Sequence, residues 1–306
     1  MARSRRPRSA VGNRLVRRIS TATSGVTLWN PSILGSSLLA WYNAKEAASF
    51  TESLGEVQQW RDLSGNGFHL DQGAQPSRPI LNATALNGLP SVVFDGSNDC
   101  VRSDPATYPW PAPQAQPFAV YLVFKPPPFA SFPTNSRRLW TGFNRNLGGS
   151  NLTYTFDYFA YAGGANPVAI IGGAGSSGGG TGTFGDDYRV YSTAGVPFQP
   201  DNVVVSGLVF DGAFGSLRRF YGQTVGQATG QILTGQLYGL CLAADGNGGT
   251  ASLFSASSIS EVIVVTGSNA TTLATQQQIE GYLAWSWGVE DGLIAGHPYK
   301  NSPPTL

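Results

Sequence analysis

Ile279-Glu280-Gly281-Tyr282-Leu283-Ala284-Trp285-Ser286-Trp287-Gly288, late in the chain, and Trp60-Arg61-Asp62-Leu63-Ser64-Gly65-Asn66-Gly67, early in it, form a matched pair of segments. In the first, Ile279, Tyr282, Leu283 and Trp287 recur at i, i+3, i+4 and i+8, the spacing of one apolar stripe on a helix. A helix is therefore predicted over Thr272 to Trp287, with Thr272 as its N-cap. It cannot continue beyond Gly288, because His297-Pro298-Tyr299-Lys300-Asn301 and Pro303-Pro304 follow. The early segment sets Asp and Asn among glycines, the chemistry of a turn whose side chains cap their own backbone. Neither segment is a catalytic signature.

Between them the chain reads as short apolar runs separated by turn formers, the pattern of a sandwich or barrel. Strands are predicted at Leu38 to Tyr42, Ser91 to Phe94, Phe118 to Lys125, Asn202 to Phe210, Leu217 to Tyr221, Leu237 to Ala243 and Ile259 to Val265. Phe94-Asp95-Gly96 and Phe210-Asp211-Gly212 each end a strand with a turn. With 39 Gly and 20 Pro among 306 residues, yet 41% hydrophobic and 11% aromatic content, the chain has many turns and ample material for a core.

The two segments, with Leu39-Ala40-Trp41-Tyr42 and Leu89-Pro90-Ser91-Val92-Val93-Phe94-Asp95-Gly96, resemble the concanavalin A-like lectin/glucanase superfamily. The resemblance is to its laminin-G-like form, often seen in bacteriophage structural proteins, and it spans roughly residues 36 to 300. It implies an all-β, concanavalin A-like jelly-roll sandwich with one C-terminal helix and an extended basic N-terminal arm. Trp41, Trp60, Trp285 and Trp287 match the family's structural positions and are assigned to the core. The implied organisation is an arginine-rich anchoring arm over 1–24, a linker over 25–35, the jelly-roll domain over 36–289 and an extended C-terminal tail over 290–306. The function it implies is that of a non-enzymatic virion structural protein, a capsid decoration, head-fibre or tail component. The alternative is a carbohydrate-binding module recognising a host-surface glycan, with calcium as a candidate cofactor. One fold hosts many functions, so the resemblance bears on architecture more than on the task.

Charge divides the chain. The net charge is +1, from 19 basic and 18 acidic residues, but Arg3, Arg5, Arg6, Arg8, Arg14, Arg17 and Arg18 fall in the first 18 positions with no acid among them. Removing those seven leaves twelve basic residues against eighteen acidic ones, so the body is acidic where the arm is basic. Such an arm suits virion shell or tail proteins, a sister subunit in a homo-oligomer, or non-specific contact with nucleic acid. It lacks interleaved aromatics for base stacking. No apolar run is long enough to span a bilayer as a helix, and localisation to the virion is the expectation.

Several motifs fail on context. Gly173-Ala174-Gly175-Ser176-Ser177-Gly178 fits a dinucleotide fingerprint, and Gly175-Ser176-Ser177-Gly178-Gly179 fits a nucleophile elbow. Each requires a helix to start at once, and more glycines follow instead. Residues 172–185 read as a surface loop. His69 and His297 are the only histidines, which disfavours a triad or a catalytic zinc site. The paired carboxylates of a superfamily glucanase are missing, and Glu261 stands as an isolated acid read as a strand-end residue on the solvent or helix-packing side. Enzyme activity is therefore not expected, a polysaccharide hydrolase being the residual alternative. Asp62, Asn66, Asp245 and Asn247 are candidate calcium ligands, and Trp110, Trp140, Tyr154, Tyr158 and Tyr161 are candidate glycan contacts because an aromatic face stacks on a pyranose. Cys100 and Cys241 read as buried thiols.

Overall fold

The computed structural model describes residues 25–103, 117–128, 137–143, 152–160, 168–176, 190–192, 202–211, 215–229, 239–245 and 251–306. Its strands, in chain order, are β1 (Leu38–Asn43), β2 (Phe50–Ser53), β3 (Glu56–Trp60), β4 (Leu70–Asp71), β5 (Ile80–Leu86), β6 (Leu89–Asp95), β7 (Val101–Arg102), β8 (Phe118–Lys125) and β9 (Arg137–Phe143). They continue with β10 (Leu152–Ala160), β11 (Val168–Ser176), β12 (Val190–Ser192), β13 (Val204–Phe210), β14 (Gly215–Phe220), β15 (Gln223–Thr229), β16 (Gly239–Leu242) and β17 (Ala256–Thr266). Two helices follow, α1 (Ser268–Thr271) and α2 (Leu273–Ser286). The chain is mostly β, and its ladders among the described residues are antiparallel.

The long strand β17 organises one run of the sheet. β8 lies along one of its edges, from Ser258↔Lys125 to Thr266↔Phe118. The other edge is shared: β6 pairs with Ala256 to Ile259, and β1 takes over from Glu261 to Val265. Beyond β8 come β13, β14 and β15. A second run, β12-β11-β10-β9-β16-β7-β4-β3, is joined to the first through β5 and β6, so the whole is one curled sheet.

Burial explains why β8 and β13 show no alternation in sequence. Phe118 to Phe124 and Val204 to Phe210 are buried on both faces, since each strand is flanked by others and α1 or α2 packs across them. A strand covered on both sides reads as a continuous apolar run. The predicted helix is α2, with Ile279, Leu283 and Trp287 buried and Tyr282 half-buried. Thr272 is its N-cap residue, but the hydroxyl donates back to the Ser268 carbonyl at 2.8 Å and leaves the first turn's amides uncapped by it. At the other end Gly288 has a φ of 65°, and the Val289 amide donates to the Ala284 carbonyl at 2.9 Å, the 6→1 bond that closes a helix.

Each of the seven predicted strands overlaps a strand of the sheet, with Leu237 and Tyr238 outside the described residues, and Asp95 ends its strand by accepting from the Ser97 and Asn98 amides. Several segments differ from expectation. Gly172 to Ser176, read as loop, belong to β11 and pair with Leu152 to Phe156 of β10. Residues 25–35, read as a linker, are fastened down: Leu28 bridges Thr305, the Trp29 amide donates to the Pro304 carbonyl, and the Trp29 ring is buried edge-on against Tyr282. The segment from 290, read as extended, begins with a 3-10 turn at Glu290–Gly292 before it returns to meet them.

Candidate functional site

Glu261 is the polar centre of the described fold. It lies within β17 and is fully buried, where the sequence reading placed a strand-end residue. A bulge falls at Ser260, between Ile259 and Glu261 in the pairing with β8. Such a bulge re-aims the side chain that follows. Oε1 accepts from Trp41 Nε1 at 2.7 Å, from Tyr282 OH at 3.0 Å and from Asn43 Nδ2 at 3.2 Å. Oε2 accepts from Trp287 Nε1 at 2.6 Å. One carboxylate thus ties β1, β17 and α2 together.

Lys45 completes the cluster. Its Nζ donates to the Ser286 carbonyl at 2.7 Å, at the C-terminal end of α2 where a cation meets the negative end of the helix dipole. The same ammonium lies 4.3 Å from the Trp287 ring centroid. Burial raises the Glu261 pKa, opposed by the Trp287 and Trp41 donors, the Lys45 charge and Tyr282. Burial likewise lowers that of Lys45, against the attraction of Glu261 and Glu46. Both carboxylate oxygens are occupied by internal donors, so the chemistry available here is fastening. Only Trp41, Lys45 and Tyr282 reach partway to solvent.

Asp62, just after β3, forms a second clamp on β1. Oδ1 accepts from the Trp41 and Ser64 amides, both at 2.9 Å, and Oδ2 from the Phe68 amide at 3.1 Å and Ser64 Oγ at 2.7 Å. Asn66 turns its amide nitrogen toward the Leu38 and Leu39 carbonyls, at 2.9 and 3.0 Å. In this structure the pair fastens β1 to the turn that follows β3. The Asp62 oxygens are engaged by four donors, and Asn66 offers β1 its N–H groups. Asp245 sits elsewhere, 3.5 Å from Arg138 Nε, and Asn247 lies outside the described residues. No group of three His, Cys, Asp or Glu that could hold a metal occurs among the described residues.

The candidate glycan contacts are dispersed. Trp140 is fully buried on β9, an interior strand between β10 and β16, so it is core and not a stacking platform. Tyr154 and Tyr158 are on β10, while Trp110, Tyr161 and the seven arginines of the arm lie outside the described residues. Of the tryptophans assigned to the core, Trp60 and Trp287 are fully buried, whereas Trp41 and Trp285 are half-buried with their indoles bonded to Glu261 and the Tyr299 carbonyl. Sequence reasoning missed the role of Glu261. The available signal was an acid directly before the apolar run Val262 to Val265, in a chain whose distinctive residues are N–H-bearing aromatics.

No family model matches the chain, and no curated protein matches it. Among solved structures it is similar to the binding domain of Paraclostridial Mosquitocidal Protein 1, at 9% identity and a TM-score of 0.52, over 81% of this chain and 52% of that one. It is also similar to domain 4 of AbnA, a GH43 extracellular arabinanase from Geobacillus stearothermophilus in complex with arabinotriose, at 12% identity and TM-score 0.47, over 78% and 96%. A third neighbour is the botulinum neurotoxin serotype D ligand binding domain in complex with N-acetylneuraminic acid, at 7% identity and TM-score 0.47, over 82% and 52%. The chain spans about half the length of the first and third. The first likeness shows a shared all-β fold.

Proposed function

We propose that this chain is a non-enzymatic binding module of lectin-like β architecture that recognises a glycan. The observation that supports it most is the likeness, over 81% of the chain, to a structure whose own description is a binding domain. The internal chemistry is compatible with that reading. The Glu261 and Asp62 carboxylates are held by donors of the protein itself, and a glycosidase needs two carboxylates free to face a scissile bond.

We assign recognition to Tyr154 and Tyr158 of β10, since an aromatic face stacks on a pyranose; Tyr154 is in register with Gly142 on β9 and with Ala174 on β11. The test is binding of the full chain to immobilised saccharides, N-acetylneuraminic acid and arabinotriose among them, with and without a calcium chelator. Saturable binding lost in Tyr154→Ala or Tyr158→Ala, with an unchanged melting temperature, supports the proposal. Retention of no saccharide above background overturns it.

A second reading is carried by the charge asymmetry of the sequence. Seven arginines without an acid precede an acidic body, which suits an arm anchoring the module to a virion shell or tail, or to a neighbouring copy, with the concanavalin A-like jelly roll facing outward. Salt-sensitive recovery of virion proteins by the full chain, absent from a chain starting at Ser24, supports that reading. Recovery that is equal for both forms sinks it.

A further inference from the structure

We propose that Cys100 and Cys241 are a reversible disulfide-forming pair, oxidised by a small-molecule disulfide. They are the two cysteines of the chain, and they come from distant parts of it. The fold brings both into one small cluster of buried side chains with Ala244, walled by Ala251 and Phe254. The pairing of β7 with β16 sets Arg102 opposite Cys241 and Val101 opposite Leu242. Cys100 immediately precedes Val101, so alternation puts it on the face of the sheet that Cys241 occupies, one step along the diagonal. Both thiols are free, and both are buried in that one cluster.

The two sulfurs are not equivalent. Gln72 Nε2 donates to Cys100 Sγ at 3.3 Å and to the Cys100 carbonyl at 2.9 Å, which stabilises negative charge on that sulfur. The Cys241 hydrogen bond, with help from Arg102 and Gln72, holds the Cys100 thiol below its usual pKa, against burial and Asp99. Cys241 is pushed well above its usual value by the same bond and by burial. Cys100 is therefore the attacking thiol, reached by the oxidant when the two-residue strand β7 opens locally, since it is 3% exposed in the closed fold.

The reaction balances with oxidised glutathione as the oxidant. The Cys100 thiolate attacks one glutathione sulfur, the glutathione S–S bond breaks, and one glutathione thiolate leaves and takes up a proton. Cys241 then gives up its proton and attacks the Cys100 sulfur of the mixed disulfide, expelling the second glutathione. Two protein thiols are oxidised to one disulfide, and one small disulfide is reduced to two thiols. The diagonal placement requires a small shift of β7 against β16 before the sulfurs join, and a bond closed with such adjustment is one that a dithiol readily reopens.

The experiment treats the full chain with oxidised glutathione, blocks remaining thiols with N-ethylmaleimide in denaturant and measures the intact mass. The expected result is a monomer with no maleimide adduct, a cross-linked peptide pair containing Cys100 and Cys241, and return of two adducts after dithiothreitol. Cys241→Ala should stop at a stable glutathione adduct on Cys100, and Cys100→Ala should take up none. Two maleimide adducts after oxidation, a disulfide-linked dimer, or glutathione carried by the Cys100→Ala variant would each overturn the proposal.

Discussion

Replacing Glu261 by Gln tests whether this carboxylate fastens the sheet to the helix. The substitution keeps the volume and one carbonyl oxygen, which can still serve Trp41, Tyr282 and Asn43. It puts an NH2 where Oε2 was, 2.6 Å from Trp287 Nε1, so a donor faces a donor in a fully buried site. An unsatisfied buried donor costs about 1–3 kcal/mol, and exchanging charged for neutral acceptors costs about 1 kcal/mol more at each strong bond. Relief from desolvating the charge offsets part of this, but Lys45 then keeps only the attraction of Glu46. The expected loss is about 3 kcal/mol, a large share of the roughly 5–15 kcal/mol that holds a domain folded. The cause is isolated by a double-mutant cycle with Trp287→Phe. The volume lost from the fully buried indole is the same in both backgrounds and cancels. The conflict of donors exists only when the new amide of Glu261→Gln and the Trp287 indole are both present, so a coupling of about 1–2 kcal/mol is expected. Urea unfolding followed by far-ultraviolet circular dichroism, which does not depend on the altered indole, reads all four variants. Additive costs, or a Glu261→Gln variant within about 0.5 kcal/mol of the parent, would refute the reasoning.

Three further outcomes are expected. Gly207 faces Tyr121 across β13 and β8, and a Cβ there would lie 2.4 Å from the tyrosine ring, so Gly207→Ala should cost about 1–3 kcal/mol in urea unfolding, with Tyr121→Leu restoring part of it. Asp62→Ala orphans three backbone amides and a hydroxyl and should cost about 2–4 kcal/mol; calcium should leave the parent's melting temperature unchanged, and a calcium-dependent rise lost in the variant would reinstate the metal reading. Burial raises the Asp99 pKa from 3.8 to about 6. The folded state then holds the proton more tightly, so the stability linked to Asp99 is fully present below about pH 4 and is lost as pH rises toward 6; urea midpoints across that window should fall less steeply with rising pH in Asp99→Asn.

How much of this was legible in the sequence depended on whether a local pattern forces the structure. β8, most of β13 and the second half of β17 were legible because strands buried on both faces carry long apolar runs, here Phe118 to Phe124, Leu208 to Phe210 and Val262 to Val265. α2 was legible from the spacing of Ile279, Leu283 and Trp287. By contrast β2, β3 and β5 read Phe-Thr-Glu-Ser, Glu-Val-Gln-Gln-Trp and Ile-Leu-Asn-Ala-Thr-Ala-Leu, and their residues are largely exposed or half-buried. β2 pairs with β3 across Leu54-Gly55 and β5 with β6 across Asn87-Gly88, so their signal lies in two-residue turns of positive φ, which apolar periodicity does not record. The glycines of β11 misled for a related reason, since glycine signals a loop by default while the ladder to β10 overrides it. The tether at residues 25–35 was invisible because its partners are at 304–306.

The candidate site was legible in its parts and illegible as a whole, and the reason bears on function. Trp41, Asp62, Tyr282 and Trp287 drew attention in the sequence as a signature, and the structure shows what each of them does. Trp41 gives its indole N–H to Glu261 and its amide to Asp62, while Tyr282 and Trp287 reach the same glutamate from the helix. The signature is therefore the set of donors and acceptors that closes the sheet around its first strand and its last helix. In this chain the distinctive residues are consumed by that closure. The residues that choose a ligand are under no such geometric demand and leave no comparable mark. A resemblance built on closure residues transfers the frame and is silent on the ligand, so substitutions in the closure should alter stability without changing which saccharide is preferred. A closure variant that folds, such as Trp41→Phe, but switches saccharide preference would show that frame and recognition are not separable in this protein.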